Sequence, residues 1–182
     1  MEKQKIIAIV AYDLNRLIGA DGDLIWRIPE DMSHFKKTTT GNICVMGRVT
    51  WESIDAKYRP LDRRMNIVIS TNEKYKLPDA DNVMLASSWD HAKEIAHNAE
   101  LMKDFAGKDI YVCGGARLYE TALPDCDQLI VTEIAKEFAV EGLRNPKYFP
   151  ELENVWIPEP IDTNFLAENG YILDFIRYTR LV

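Results

Sequence analysis

Asp31 is the side chain whose position in this sequence most directly suggests chemistry. Pro29 suits the first turn of a helix, where its missing N–H costs nothing. Ile28, Met32 and Phe35 then recur at helical spacing, and Asp31 lies beside this apolar stripe. Because a buried carboxylate is destabilising unless hydrogen-bond donors face it, we expect Asp31 to bind a ligand that carries N–H groups. The alternative is an ordinary acidic residue at a helix start, where the helix dipole favours it.

Two strand-to-helix junctions have the composition of phosphate-binding sites. Gly114-Gly115 precedes a helix with Arg117 in its first turn, and Gly47 precedes a helix that opens with Arg48. Glycine lets a ligand approach the main chain, and the free N–H groups of a helix start attract phosphate. A cation in the first turn is disfavoured by the dipole unless an anion binds there. Turn geometry alone is the alternative explanation for the glycines.

A third strand end carries two hydroxyl groups, those of Ser70 and Thr71. Ligands of open α/β sheets bind at the carboxyl ends of the strands, so we expect the three strand ends to meet at one rim. Arginine and hydroxyl partners suit an additional phosphate on a dinucleotide. The pattern therefore favours NADP over NAD.

The composition is that of a globular protein large enough for a core, with 182 residues, 47% hydrophobic and 28% charged. The formal net charge of −7 argues against a nucleic-acid partner. Residues 36–65 are basic although the chain as a whole is acidic, since they contain seven basic and three acidic side chains. This excess predicts either a site for a small anion or a solvated charged face. No apolar run has the length of a membrane span, and no signal peptide is recognisable. We expect a cytoplasmic protein without a membrane partner, and a monomer by default.

The cysteines and histidines show no metal-binding or disulfide pattern. Cys44, Cys113 and Cys126 are odd in number, far apart, and in or next to apolar stretches, which predicts buried free thiols. The histidines share no metal-ligand spacing, and we expect His91 and His97 on the exposed face of a helix. The sequence therefore predicts no metal site.

Strand-like and helix-like segments alternate along the chain. The predicted strands are 5–12, 42–46, 65–70, 83–86, 109–113, 128–133, a weak strand near 155–157, and 171–180. The predicted helices are 29–39, 48–54, 89–105 with Ser88 as its N-cap, and one from Gly115 to about 123; 13–27 and 137–169 are expected to be loops. The alternation predicts one α/β domain over residues 1–182, with a mostly parallel eight-stranded sheet, helices on both faces, and an antiparallel C-terminal edge strand.

The sequence resembles the dihydrofolate reductases nearly from end to end. The resemblance rests on Ile18-Gly19, the Trp26…Pro29…Asp31…Phe35-Lys36 segment, 46–54 (MGRVTWESI), YRPL and NIVIS within 58–70, Gly114-Gly115…Arg117…Tyr119, and 130–132 (IVT). Order and spacing agree throughout. The sequence departs from the family pattern at Ile25, where proline is common, at Asp62-Arg63 in place of Pro-Gly, and at Ala116 in place of a third glycine.

The resemblance implies a site for a pterin substrate. Asp31 resembles the carboxylate that anchors the pterin ring, Thr132 would support it, and Trp26 would hold an ordered water; these three are the implied catalytic residues. Arg64 would pair with the α-carboxylate of the glutamate tail. The other implied substrate contacts are Ile9, Phe35, Lys36, Ile54, Arg59 and Leu61. Taken singly, Trp26 is typical of a core, Thr132 of a strand, and Arg64 of a surface.

The resemblance also implies a site for NADPH, with the glycine pair joined by a cis peptide bond. The implied cofactor contacts are Ala11, Ile18, Gly19, Gly47, Arg48, Val49, Thr50, Ser70, Thr71, Cys113, Gly114, Gly115, Ala116, Arg117, Leu118 and Tyr119.

The implied reaction is hydride transfer to C6 of 7,8-dihydrofolate with protonation at N5, which gives tetrahydrofolate for one-carbon metabolism and thymidylate synthesis. Burial is expected to raise the pKa of Asp31. One alternative is a riboflavin-pathway pyrimidine reductase, which shares the fold but is not expected to need Trp26 and Asp31 at this spacing. The other is a non-catalytic subunit that binds folate or a nucleotide. We expect no thymidylate synthase domain in the chain.

Overall fold

Eight strands form one sheet in the computed structural model, which describes residues 3–181. The strands in chain order are β1 (Ile6–Asp13), β2 (Leu17–Gly19), β3 (Ile43–Gly47), β4 (Met65–Ile69), β5 (Val83–Ala86), β6 (Ile110–Val112), β7 (Gln128–Ile134), β8 (Lys147–Tyr148), β9 (Trp156–Leu166) and β10 (Ile172–Arg180). The helices are α1 (Pro29–Thr39), α2 (Arg48–Ser53), α3 (Trp89–His97), α4 (Ala99–Met102) and α5 (Ala116–Ala122), with single 3₁₀ turns at Ala56–Tyr58, Lys103–Phe105 and Leu123–Asp125.

The sheet has the order β5-β4-β3-β6-β1-β7-β10-β9. The first six strands in this order run parallel, and β10 pairs antiparallel with β7 on one side and with β9 on the other. The predicted α/β architecture, with eight mostly parallel strands and an antiparallel C-terminal strand, is therefore confirmed. β1 lies between β6 and β7, as its continuous apolar run predicts for a central strand.

Helices cover both faces of the sheet because successive strand residues point to opposite sides. Ala8 and Val10 pack in one core with the buried residues of α3 and α5. Ile7 and Ile9 pack in another, with Trp51 of α2 and Phe35 of α1. A parallel sheet buried on both faces explains why its strands are apolar at almost every position.

The position of the C-terminal strand in the sheet differs from the sequence prediction. β10 is second from the edge, and the edge strand is β9, eleven residues long rather than the weak strand expected near 155–157. Pro158 and Pro160 lack the N–H of a ladder donor, and most of β9 is exposed, so its composition suggests a loop. Proline is tolerated here because one side of an edge strand needs no ladder partner.

The predicted helix over 89–105 is broken. Ser88 caps α3 as predicted, its hydroxyl accepting a 3.1 Å hydrogen bond from the N–H of His91. α3 then ends because the Asn98 side chain accepts hydrogen bonds from the N–H groups of Glu100 and Leu101 and starts α4. The helix prediction was wrong here because an asparagine cap competes with helix continuation.

The two predicted loops contain a small second sheet. β2, within 13–27, pairs antiparallel with β8, within 137–169. The pairing is extended by hydrogen bonds from the N–H of Phe149 to the carbonyl of Arg16 and from the N–H of Asp21 to the carbonyl of Arg144. These contacts fix the segment that carries Ile18 and Gly19 against a second, distant segment.

Residues 3–181 include no helix with the length and apolar character needed to cross a membrane. In the same range, no three histidine, cysteine or acidic side chains are grouped so that they could hold a metal ion. Cys44, Cys113 and Cys126 are free, the first and last fully buried and Cys113 half-buried. His91 and His97 are exposed on α3, as predicted.

Candidate functional site

A cavity of about 2230 Å³ runs along the carboxyl edge of the parallel strands. The lining near the strand ends includes Ala11 in β1, Gly47 at the end of β3, Ser70 after β4, Gly114 after β6, and Thr132 in β7. Single ligand pockets usually measure about 300–1,000 Å³. The cavity therefore has room for two ligands side by side.

The structure brings almost all of the sequence-predicted site residues to this cavity. Those that line it are Ile9, Ala11, Ile18, Gly19, Trp26, Asp31, Phe35, Lys36, Gly47, Arg48, Val49, Thr50, Ile54, Leu61, Arg64, Ser70, Thr71, Cys113, Gly114, Gly115, Ala116, Arg117, Leu118, Tyr119 and Thr132. Arg59 is outside this lining. Its guanidinium carbon lies 5.6 Å from the ring centroid of Trp51, and Nη1 donates to the Trp51 carbonyl at 3.3 Å.

Asp31 is buried in the first turn of α1, with 8% of its surface exposed. The apolar stripe expected beside it is only partly buried: Ile28 is in the core, Phe35 is half-buried, and Met32 is exposed at the cavity. Burial raises the pKa of Asp31, and a hydrogen bond with the Thr132 side chain offsets part of the rise. Thr132 is itself buried at 2% exposure in β7. The pair places a poorly solvated carboxyl group at the cavity wall.

Trp26 lies on the loop before α1 and is 3% exposed. Its ring packs 5.1 Å from the ring of Phe138, at an interplanar angle of 39°. The indole Nε1 is buried and has no hydrogen-bond partner within residues 3–181. A buried indole N–H usually has an acceptor, so this atom is a donor available to a ligand or a water in the cavity.

Arg64 is buried at 4% exposure, unlike a typical arginine. Its Nη1 donates to the hydroxyl of Thr39 at 3.1 Å, and its Nε donates to the carbonyl of Asp62 at 3.0 Å. The guanidinium carbon lies 5.9 Å from the ring centroid of Phe35. Arg63, in the turn before Arg64, has a φ of 52°. The chain therefore turns tightly before Arg64 although it lacks the family's Pro-Gly. The guanidinium is held in place at the same wall as Asp31.

The junction after β6 brings backbone atoms to the cavity surface. The Gly114-Gly115 peptide bond is cis, as the resemblance implies, and the N–H of Gly47 donates to the Gly114 carbonyl at 2.8 Å. Gly114 has φ 111°, and a Cβ there would lie 3.3 Å from the hydroxyl of Tyr119. A side chain at Gly115 would lie 3.3 Å from the Thr50 hydroxyl. The close packing of Tyr119 and Thr50 therefore favours glycine at both positions of this junction.

Arg48 and Tyr75 form the polar rim beside this junction. Arg48 Nη1 lies 3.2 and 3.1 Å from the two carboxylate oxygens of Glu52, and its guanidinium carbon lies 5.9 Å from the Tyr75 ring centroid. Both members of the ion pair are more than 40% exposed, so its contribution to stability is small. Thr71 and Arg117 are exposed at the same cavity.

Sequence reasoning missed two residues, one at the site and one next to it. His34 lines the cavity on α1, with its ring 4.5 Å from that of Phe175; burial and then Lys37 lower its pKa. Asp13 lies outside the cavity lining and is fully buried. Its signal in the sequence is an aspartate directly after a strand and two residues before an asparagine, which is typical of a side-chain-capped turn.

The sequence is similar to known proteins over nearly its whole length. The family model described as dihydrofolate reductase matches residues 5–180. The dihydrofolate reductase of Bacillus subtilis is 37% identical over 176 residues, covering 94% of this chain and 92% of that protein. The dihydrofolate reductase of Pneumocystis carinii is 30% identical over 207 residues, covering 99% of each chain.

A third relative is a larger protein. The bifunctional dihydrofolate reductase-thymidylate synthase of Daucus carota is 33% identical over 183 residues, which cover 95% of this chain but only 33% of that protein. The similarity is thus confined to a part of that protein about as long as this chain. With a matching family model over nearly all of its residues, the chain belongs to the dihydrofolate reductase family, whose members are oxidoreductases that use a nicotinamide cofactor.

Proposed function

We propose that this protein reduces 7,8-dihydrofolate to 5,6,7,8-tetrahydrofolate with NADPH as the hydride donor. The observation that carries the proposal is the buried Asp31 carboxyl group in the same cavity as the glycine-lined junction. A pterin ring carries adjacent ring and amino N–H groups, which match the two oxygens of one carboxylate. The size of the cavity supports simultaneous binding of two ligands.

The wall around Asp31 suits each part of a folate. Ile9, Ile54 and Leu61 offer apolar contacts for the aromatic rings, and Phe35 extends this surface towards Arg64. Two hydrogen bonds fix the orientation of the Arg64 guanidinium. It can therefore pair with a carboxylate without first being ordered. A planar, preorganised guanidinium favours bidentate binding of the glutamate α-carboxylate. Lys36 adds a positive charge at the exposed part of the wall. Arg59, stacked on Trp51, would add a further positive charge at the rim.

The opposite part of the cavity fits a phosphorylated dinucleotide. Gly47, Gly114 and Gly115 leave room for the pyrophosphate, with Ala116, Leu118 and Tyr119 beside it. Arg48 and Thr71 are positioned to bind an additional phosphate, with Ser70, Val49, Thr50 and Arg117 completing the rim. Ala11, Ile18, Gly19 and Cys113, which line the same cavity, would enclose the nicotinamide end. NADPH, when bound, supplies the hydride that C6 of the pterin accepts.

The protein residues orient the substrate and control its protonation. Asp31 fixes the pterin edge and polarises the ring, and burial raises the pKa of its carboxyl group above the usual value. Thr132, buried in β7, would support the carboxyl group. The free Nε1–H of Trp26 would hold a water near the carboxyl group. The apolar wall limits access of bulk water.

We also propose that residues 1–182 act as one dihydrofolate reductase-like domain, as a cytoplasmic monomer that binds no nucleic acid. The sheet uses strands from Ile6–Asp13 to Ile172–Arg180, which supports one folding unit. Three free cysteines suit a reducing compartment. The prolines of edge strand β9 disfavour pairing with a second sheet. The acidic net charge disfavours nucleic acid.

The test is the loss of nicotinamide absorbance when purified protein meets dihydrofolate with NADPH or, in parallel, NADH. We expect turnover with a preference for NADPH. Tight NADPH binding without turnover would contradict the proposed reaction and favour a pyrimidine reductase or a binding subunit. Incubation with an aminopyrimidine substrate of the riboflavin pathway then distinguishes those two.

A further inference from the structure

Asp13 is a fully buried carboxylate that lies outside the cavity lining. Its Oδ1 accepts hydrogen bonds from the N–H groups of Asn15 at 2.8 Å and Leu17 at 2.9 Å. Its Oδ2 accepts one from the N–H of Phe138 at 2.9 Å. Within residues 3–181 no cationic side chain forms an ion pair with it. Three backbone donors therefore stabilise a charge that burial alone would disfavour.

These bonds join three segments that meet at the cofactor end of the cavity. Asp13 ends β1, two residues after Ala11. Leu17 begins β2 and directly precedes Ile18 and Gly19. A further hydrogen bond, from the N–H of Leu14 to the carbonyl of Lys136, also connects the segment after β1 to the segment that contains Phe138.

The third segment connects Asp13 to Trp26. The ring of Phe138 lies 5.1 Å from the ring of Trp26, and the Lys136 ammonium lies 4.9 Å from the Phe138 centroid. The same ammonium lies 5.3 Å from the Tyr171 centroid, so the segment is held from two sides. An anchor at the N–H of Phe138 therefore fixes the surface on which Trp26 packs.

Two acceptor oxygens are required by this geometry. One oxygen serves Asn15 and Leu17, and the other serves Phe138. An asparagine has a single acceptor oxygen and an NH₂ group, so one set of backbone donors would face another donor. An ordinary turn-capping residue would need only the bond to Asn15.

We propose that Asp13 is a positioning residue of the cofactor site: its carboxylate holds Ile18-Gly19 and, through Phe138, Trp26 in the arrangement that retains NADPH. The proposal rests on the proposed use of NADPH. Asp13 touches neither ligand and acts through the segments it joins. Its loss should therefore affect how long the cofactor stays bound.

The test compares Asp13→Asn with Asp127→Asn. Asp127 is a matched control because its Oδ2 accepts a 2.9 Å hydrogen bond from the N–H of Ile6, at the other end of β1 and outside the cavity lining. The measurements are the NADPH dissociation rate by stopped-flow displacement, KM and kcat, and the melting temperature. We expect dissociation roughly tenfold faster in Asp13→Asn, the effect of losing a hydrogen bond to a charged group, and an unchanged rate in Asp127→Asn.

A lower melting temperature in both variants with unchanged NADPH dissociation would overturn the positioning role. If Asp13→Asn does not fold, hydrogen exchange of the wild-type protein decides. Amides of Leu17 and Phe138 that exchange slowly, and more slowly with NADPH, support the proposal, and exchange as fast as in exposed loops contradicts it. NADPH dissociation is measured without turnover, so a wild-type protein that binds NADPH but leaves dihydrofolate unreduced counts against the proposed reaction alone. Absence of NADPH binding by the wild-type protein would overturn both proposals.

Discussion

The hydroxyl of Tyr119 donates a 2.7 Å hydrogen bond to the backbone carbonyl of Ile9, a residue 110 positions earlier in the chain. Tyr119 is buried in α5, and burial raises its pKa, so it remains a neutral donor. The bond joins the helix that follows the glycine pair to the central strand of the sheet. It therefore couples the proposed phosphate-binding junction to the wall of the proposed pterin site.

Replacing Asp31 by asparagine should reduce kcat/KM for dihydrofolate by about 10²- to 10⁴-fold, the usual contribution of a positioned acid or base. The asparagine keeps the shape of the side chain, but it carries no charge and offers one acceptor oxygen instead of two to the N–H groups of a pterin. Steady-state assays measure the loss. The control is Asp90→Asn, an exposed first-turn aspartate of α3. Full turnover of Asp31→Asn at neutral pH would contradict the catalytic role.

The same variant should be more stable than the wild-type protein at pH 7. Because the folded pKa of Asp31 lies above its ordinary value of 3.8, ionisation opposes folding, and stability from this group is lost as pH rises from 3.8 through the folded pKa. The asparagine removes that penalty. The melting temperatures of Asp31→Asn and of the wild-type protein, measured across pH, should therefore differ most near neutral pH and converge below pH 3.8. A difference that does not vary with pH would argue against a buried, poorly solvated carboxyl group.

Replacing Arg64 by lysine should raise KM for dihydrofolate roughly 10- to 100-fold, since hydrogen bonds to charged groups contribute most to binding. Lysine cannot bind Thr39 and the Asp62 carbonyl while also presenting a planar fork to a carboxylate. A dihydropterin without the glutamate tail should be used equally by both proteins. Arg63→Lys is the control, because Arg63 is adjacent and 68% exposed. An equal rise in KM for dihydrofolate and for the dihydropterin without the tail would exclude the glutamate as the partner of Arg64.

Replacing Arg48 by alanine should lower the preference for NADPH over NADH by about tenfold, the effect of one charge-assisted hydrogen bond. The reason is the proposed contact with the additional phosphate, which NADH lacks. The measurement is the ratio of kcat/KM for the two cofactors. Arg177→Ala removes a similar exposed pair with Glu159 outside the cavity lining and should leave the ratio unchanged. An equal fall in kcat/KM with NADPH and with NADH would contradict the proposed contact between Arg48 and the additional phosphate.

Replacing Gly114 by alanine should destabilise the protein by about 1–3 kcal/mol and weaken NADPH binding. The φ angle of 111° disfavours a side chain, and the new Cβ would lie 3.3 Å from the Tyr119 hydroxyl that bonds to Ile9. Thermal unfolding and fluorescence titration measure the two effects. Gly107→Ala, at φ 73° with nothing within 4 Å, isolates the backbone contribution. Equal NADPH affinity in the two variants would count against the junction as part of the cofactor site.

The local sequence pattern predicts most of the strands, the first helix and most residues of the candidate site. Continuous apolar runs identify the buried parallel strands, as in Ile6–Asp13, because a strand covered on both faces has no polar side. Pro29 and the stripe beside Asp31 predict α1, and glycine–arginine pairs predict the two junctions after β3 and β6. Nearly all residues named from the family pattern line the cavity because the carboxyl ends of parallel strands lie at one edge of the sheet.

Only the tertiary structure decided the features that depend on distant partners. The exposed, proline-containing β9 is a strand because β10 supplies its hydrogen bonds, and no local pattern records that pairing. Arg59 is stacked on Trp51 outside the cavity lining, although its position in the sequence suggests a rim contact. Asp13 resembles any turn aspartate until the N–H of Phe138, 125 positions later, reaches its second oxygen. Sequence spacing specifies local conformation, but which buried polar groups meet is decided by how the segments pack.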